Sequence, residues 1–424
     1  MSKLETGLIS SIVFGLYLLL VFSLGLMKPS VDVGLAELTP TDLLFPAVIL
    51  LWLGAIAEGR CDFRWRWEFL IFAGFFLTLT ISSFFSVNPR LSFGRLPGSA
   101  YLILLAVLTS NLVTTFSRLR ISILVWLAGS TVPLLSALTG IFLFYFLPDN
   151  RFLPDLIYHY GAVPVGNFPR IGSTFISASM FCNYLTVTLA FALLSARMRW
   201  VSNGVAAALI FTIGVCALFT VSIALGGFAL AAGLWIWITS PSRTIARASL
   251  IFGSVVAIAF LAVAPFALIN QGGSSFFLGL EPSSRFQVWG EAVHTFLSAP
   301  LTGNGLGTAV ANVAFHNYDG TWSLLTDAHN TFLSVAAQAG FFGLAAIAAI
   351  VVVTMNLALA RSTDDENGRY ILRCFGIAFF TAFFYDGLTG SFEDTRHLWV
   401  LIGFILAGTK ITDWPDESHS LHRA

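Results

Sequence analysis

The sequence predicts an all-α integral membrane protein with about 12 transmembrane helices. Three observations carry that prediction. Charged residues make up only 10% of the 424-residue chain, against about 25% in a soluble globular domain. Hydrophobic residues reach 57% and the mean hydropathy is +0.83. Apolar runs long enough to cross a bilayer recur along the chain, separated by short polar connections. The 22 basic and 22 acidic residues cancel, so net charge argues neither for nucleic acid nor for a polybasic membrane patch.

In order, the apolar runs centre on residues 7–26, 42–58, 68–86, 99–116, 121–147 and 174–196. They continue at 202–220, 223–239, 248–269, 341–360, 371–387 and 397–410. The first, GLISSIVFGLYLLLVFSLGL, is as long as a spanning helix and lacks a small-residue cleavage site after it, so it reads as a retained span. Cys61, Cys182, Cys216 and Cys374 are widely spaced and outline no disulfide framework. No internal repeat is visible, and residues 1–424 read as a single polytopic domain.

Arginine placement predicts the orientation. With the N-terminus inside, the segments EGRCDFRWR, SRLR, ARMRW, SRTIAR and RSTDDENGRYILR all fall on the inner side, as do both tails. Only Lys28, Arg90, Arg95, Arg151, Arg170, Arg285 and Arg396 then lie outside, as the positive-inside rule requires. Both termini are therefore expected in the cytoplasm.

Two outer segments are long, residues 148–173 and about 270–340. Both are too aromatic and apolar to read as disordered, and long structured loops commonly carry function. Within the second, SRFQVWGEAVHTFLSAP repeats Phe286, Trp289, Val293, Phe296 and Leu297 at helical spacing, which predicts a helix lying at the membrane–water interface. The glycine-rich turn LTGNGLGTA follows it, and then LTDAHNTFLSVAAQAGFFGL, where a polar loop passes into a small-residue apolar helix.

The outer face holds few titratable groups: the basic ones are Arg170, Arg285, His294, His316, His329, Arg396 and His397, with Arg151 and His159 further out. Metal binding is poorly supported, because His316 and His329 are thirteen apart and no HExxH or CxxC spacing occurs. A serine hydrolase would need a GxSxG turn that is missing. GNGLG lacks the following Lys-Ser/Thr of a phosphate loop and reads as a bend. No spacing marks a carboxylate pair for glycoside hydrolysis.

His329 is the strongest catalytic candidate. A histidine at a helix start is most often structural, but here Asp327 or Thr326 can serve as the cap. Ala336, Ala337, Gly340 and Gly343 permit close approach that would hold the helix start rigidly. Imidazole takes up a proton near neutral pH, the task of a general base acting on a hydroxyl. The other dipeptide, His316-Asn317, has no such context and reads as a loop. Arg170 and Arg285 each enter a predicted helix from outside, and the guanidinium fork suits phosphate oxygens. For either arginine alone, an interfacial anchor is the competing reading.

These residues resemble the O-antigen ligase and polymerase superfamily. The shared pattern is an Arg-x-x-x-Trp helix (Arg285, Trp289) and a glycine turn (Pro300, Leu301, Gly303, Gly305, Gly307). His-Asn-x-x-Leu with Gly-x-x-Gly follows (His329, Asn330, Leu333, Gly340, Gly343), and upstream PRIGSTFISASMFCNYL is similar to the family's Arg-x-x-Gly-x-Phe entry into a span. The resemblance implies a metal-independent glycosyltransferase of the bacterial inner membrane, needing no cofactor and acting at the periplasmic face. Its donor would be a glycan on undecaprenyl diphosphate. Its acceptor would be a sugar hydroxyl, on lipid A–core for a ligase of lipopolysaccharide biosynthesis. In a polymerase of O-antigen or exopolysaccharide, the acceptor would be a second carrier-linked unit. His329 would act as base, Arg285 and Arg170 would hold the diphosphate, and Asn330 and Arg396 would bind or orient substrate.

One departure stands out. Many members carry Ser-Arg-Gly between the seventh and eighth spans, whereas here Ser222 is followed by Ile223. No Lys or Arg occurs between Arg285 and Arg361 either. Arg170 is then the candidate for the missing charge. Two other function classes compete with the enzyme. A transporter or flippase of lipid-linked glycans would be expected to bury ionisable groups in mid-membrane, and a non-catalytic scaffold would not need His329.

Overall fold

In a computed structural model the chain is predominantly helical, with small two-stranded hairpins in the connections. The described residues are 3–32, 37–147, 149, 151–152, 156–158, 169–263, 266–270, 278–282, 284–316, 322–359 and 365–414. Although the run at 248–269 passes the end of its helix at Val263 and reaches the strand Phe266–Asn270, each predicted span overlaps a helix. In chain order these are α1 Lys3–Ser23, α2 Pro40–Ala57, α3 Glu68–Phe84, α4 Pro89–Leu112 and α5 Phe116–Phe146. After them come α6 Ala178–Arg197, α7 Asn203–Phe219, α8 Leu225–Thr239 and α9 Arg243–Val263. The last four are α10 Ser284–Ser298, α11 Thr331–Leu359, α12 Glu366–Phe379 and α13 Arg396–Gly408. Six of them, α2, α4, α5, α6, α9 and α11, contain stretches long and apolar enough to cross a membrane, and five more are shorter apolar helices. α12 runs on into a π-helical turn, Phe380–Tyr385.

Burial sorts the helices. Along α6 nearly every residue from Phe181 to Leu194 is buried, and α13 is buried from His397 to Gly408. These two form the bundle's centre, where Trp126 of α5 stacks on Tyr184 with ring centroids 5.5 Å apart and meets Phe191 and Phe404. α9 instead leaves Ile251, Phe252, Val255 and Ile258 exposed. An apolar surface of that kind suits hydrocarbon rather than water.

α10 forms where helical spacing predicts it. One face, Val288 and Ala292, packs with Val310, Ala311, Val313, Ala328 and Ala337 in a small separate core. Phe286, Val293 and Leu297 remain exposed as an apolar stripe, the pattern of an interfacial helix. The long loops hold more structure than the sequence predicts. Ile157–Tyr158 pairs with Arg170–Ile171, Phe266–Asn270 with Leu278–Pro282, and Val313–His316 with Trp322–Leu325. His316, read from the sequence as a loop residue, thus ends a strand opposite Trp322. Asn317 and His159 lie outside the described residues.

α11 is broken at Gly340, whose φ of 67° and ψ of −164° are not helical. The glycine-rich turn after α10 seats in the break. Phe341 N donates to Pro300 O at 2.7 Å, Asn304 N to Ala337 O at 2.9 Å and Gly305 N to Gln338 O at 3.0 Å. Gly307 N donates to the Gln338 side chain at 2.7 Å. A side chain on Gly340 would collide with the Leu301 carbonyl, and one on Gly303 with the backbone of Gln338. The backbone groups released by breaking the helix are thereby satisfied by the turn.

Candidate functional site

The sequence between Trp322–Leu325 and α11 makes a short turn that presents His329. Its φ is 46°, in the left-handed region that non-glycine residues seldom occupy. Asn330, and not Asp327 or Thr326, caps the helix: its Oδ1 accepts from Phe332 N and Leu333 N, each at 3.0 Å. That frees Asp327, which accepts from Ser334 Oγ at 3.0 Å and Ser391 Oγ at 2.8 Å while its other oxygen faces His329 Nδ1 at 3.4 Å. A carboxylate beside Nδ1 favours the tautomer that leaves Nε2 as a proton acceptor.

Two neighbours hold this turn. From α10, Trp289 Nε1 donates to Ala328 O at 3.0 Å. From the connection between the π turn and α13, Leu388 O accepts Asn330 Nδ2 at 2.9 Å, and Gly390 O accepts Thr331 N at 3.0 Å. Thr331 Oγ1 in turn accepts Phe392 N at 2.9 Å. Arg285, one turn before Trp289 on α10, donates Nη1 to Thr389 O at 2.9 Å. The Arg-x-x-x-Trp spacing therefore lets one helix face grip both the histidine turn and the 388–390 turn.

The few charged groups of this face act on one another. Burial, with the nearby Arg170 charge and against the pull of Asp327, lowers the Arg285 guanidinium to about 10. Arg170 is near enough for its charge to act on Arg285, and paired guanidinium groups suit an anion of more than one charge. Arg170 Nε donates to Thr220 O at 3.3 Å, two residues before Ser222. It therefore reaches the turn where the resembled family carries its arginine. His329 is pushed below the usual imidazole range by burial, with Asp327 opposing the shift and Arg285 reinforcing it. Its side chain keeps 38% of its surface exposed, so the ring stays partly accessible.

Arg396 lies at the start of α13, where its guanidinium makes a bidentate pair with Asp42, Nε to Oδ1 at 2.7 Å and Nη2 to Oδ2 at 2.5 Å. Its fork is thus engaged at the head of α2. Four charged residues that motif reading left out of the site, Arg95, Asp327, Glu393 and Asp394, act on one another nearby. Arg95 of α4 lies against Gly307 and acts on Asp394. Glu393 is held well above the carboxylate range by burial and by the charges of Asp394 and Asp327. Asp327 itself appeared in the sequence only as a possible cap. Among the described residues, no three His, Cys, Asp or Glu side chains gather so that they could hold a metal ion.

Three of the four described non-glycine residues with positive φ, namely Ser173, Val221 and His329, lie in the segments that build this site. Such strain persists only where surrounding contacts impose it, and it concentrates at functional sites.

No curated protein matches the chain. The family model described as O-antigen ligase matches residues 206–348, a stretch that includes Arg285, His329 and Asn330 and leaves Arg170 and Arg396 outside. That family is one of membrane glycosyltransferases of the ligase and polymerase type. Residues 206–348 are therefore similar to the O-antigen ligase family, in the superfamily that the Arg-x-x-x-Trp and His-Asn motifs resemble.

Proposed function

We propose that this protein transfers a glycan from undecaprenyl diphosphate to a sugar hydroxyl at the periplasmic face of the inner membrane, with lipid A–core as acceptor. The observation that carries the reading is the convergence of a strained, accessible His329 with Arg285 and Arg170 at one end of the helix bundle. His329 Nε2 takes the proton of the acceptor hydroxyl, whose oxygen attacks the anomeric carbon of the donor. The bond from that carbon to the diphosphate oxygen breaks, and undecaprenyl diphosphate leaves. Arg285 and Arg170 neutralise the charge that grows on the leaving group, so fixed guanidinium groups supply the electrostatic stabilisation without a metal. Asn330 holds the histidine turn in place through its cap and its bond to Leu388 O.

The test is a transfer assay on purified protein, with undecaprenyl-diphosphate glycan as donor and lipid A–core as acceptor. His329→Ala should lower the rate by about 10²-fold or more, the ordinary contribution of a general base. Transfer at the wild-type rate in that variant would remove His329 from the chemistry. Transfer by the wild-type protein only to a second carrier-linked glycan would replace the acceptor assignment with a polymerase.

A further inference from the structure

Beneath the 388–390 turn lies a buried polar network that the proposed chemistry does not use. Asn183 and Asp386 are 0% exposed and His397 is 3% exposed. Asn183 Nδ2 donates to Asp386 Oδ2 at 2.9 Å and to Ala382 O at 2.6 Å, and its Oδ1 lies 2.7 Å from His397 Nε2. One carboxamide thus joins α6, the π turn after α12 and the first turn of α13. The π turn is itself of a kind that recurs at functional sites. Ionisable groups inside a membrane bundle are costly unless they serve a purpose.

The network's output is the 388–390 turn. Leu388 N donates to Tyr385 O at 3.0 Å and Thr389 N to Asp386 O at 2.9 Å. The next three carbonyls, of Leu388, Thr389 and Gly390, accept from Asn330, Arg285 and Thr331. On the other side, α8 presses against the same residues. A side chain on Gly226 would collide with the Tyr385 hydroxyl, and one on Gly227 with the Asp386 carboxylate. Tyr385 also donates its hydroxyl to Ala257 O at 2.6 Å. The turn is therefore clamped from within the bundle and grips the site on its outer side.

We infer that Asn183 is a positioning residue, holding Asp386 and Ala382 so that the carbonyls of residues 388–390 set the placement of Arg285 and Asn330. This rests on the reading of Arg285 as donor-binding. A buried carboxamide with both hydrogens and its oxygen engaged has little freedom to shift. Removing it leaves Asp386 and the Ala382 carbonyl without their partner, and the turn relaxes towards whatever satisfies them.

The experiment is a double-mutant cycle on the full-length protein in lipid nanodiscs, assayed for transfer from undecaprenyl-diphosphate glycan. The variants are Asn183→Val, Arg285→Lys and both together. Arg285→Lys keeps the charge but loses the planar fork through which Nη1 donates to the Thr389 carbonyl. Asn183→Val alone should lower kcat/KM by about tenfold or more, a size typical of residues coupled through one network. In the Arg285→Lys background the same change should cost less than about threefold, because the contact it positions is already gone. A factor equal in both backgrounds would show that Asn183 serves stability alone and would overturn the inference. If Asn183→Val does not accumulate, Asp386→Leu cuts the same clamp from the other side and takes its place in the cycle. Wild-type transfer by Arg285→Lys and by Arg285→Gln would bring down the donor-binding reading and this inference with it. Impaired transfer with an additive cycle would bring down the inference alone.

Discussion

At the residue scale the histidine turn is organised around an unfavourable conformation at His329. A left-handed non-glycine residue costs on the order of 1–3 kcal/mol, and His329 adopts it because its neighbours leave no alternative. Ala328 is held through its carbonyl by Trp289, while Asn330 and Thr331 are held by Leu388 and Gly390. The electrostatics yield a pH prediction. With its pKa below the usual 6.5, His329 is neutral and able to accept a proton at pH 7, and it loses that ability as pH falls through its own pKa. The acidic limb of the pH–rate profile should therefore lie below pH 6.5. Arg285→Gln removes a positive neighbour, so the limb moves to higher pH. Asp327→Asn removes a negative one, so it moves lower. Steady-state rates across pH check both, and shifts in the same direction would refute the assignment of His329 as base. His329 and Arg285 were legible in the sequence because a short motif marks them. Asp327 was misread as a cap because cap identity depends on which residue begins the helix, and that is decided by the packing of Thr331 against Gly390.

At the scale of elements, the important feature is a helix interrupted to receive a turn. The small residues of α11 signalled close approach in the sequence, but they did not reveal the partner. At Gly340 the partner is the Pro300–Thr302 backbone, not a second helix. Gly340→Ala therefore meets two obstacles, a positive φ and a collision with Leu301, and should destabilise the protein by about 2 kcal/mol or more. Thermal unfolding in detergent would register this as a lowered midpoint. An unchanged midpoint would mean that the turn is not seated in the break. The same seating ties α10 to α11, so it also fixes the helix that carries Arg285 and Trp289 relative to His329.

At the scale of the whole molecule, charge asymmetry predicts which end of the bundle faces outward. Cysteines placed at Leu301, in the glycine turn, and at Asn203, beside the arginines of the ARMRW connection, test it in a background with Cys61 replaced by Ser. A membrane-impermeant maleimide should label position 301 in intact spheroplasts and position 203 only after permeabilisation. The opposite pattern would invert the topology and place the site in the cytoplasm.

The sequence by itself determined where the helices lie, which end concentrates arginine, and which histidine stands at a helix start, because hydrophobic runs and short motifs are local properties of the chain. Tertiary structure alone decided that Arg170 lies within reach of the Arg285 charge, that Asp327 faces His329, and that Asn183 underlies the turn holding Arg285 and Asn330. The placements of Arg170, Arg285 and Asn330 run through backbone carbonyls at Thr220, Thr389 and Leu388. A carbonyl is the same group in every residue, so its use as an acceptor leaves no mark in the sequence, and only the folded chain shows which ones are used.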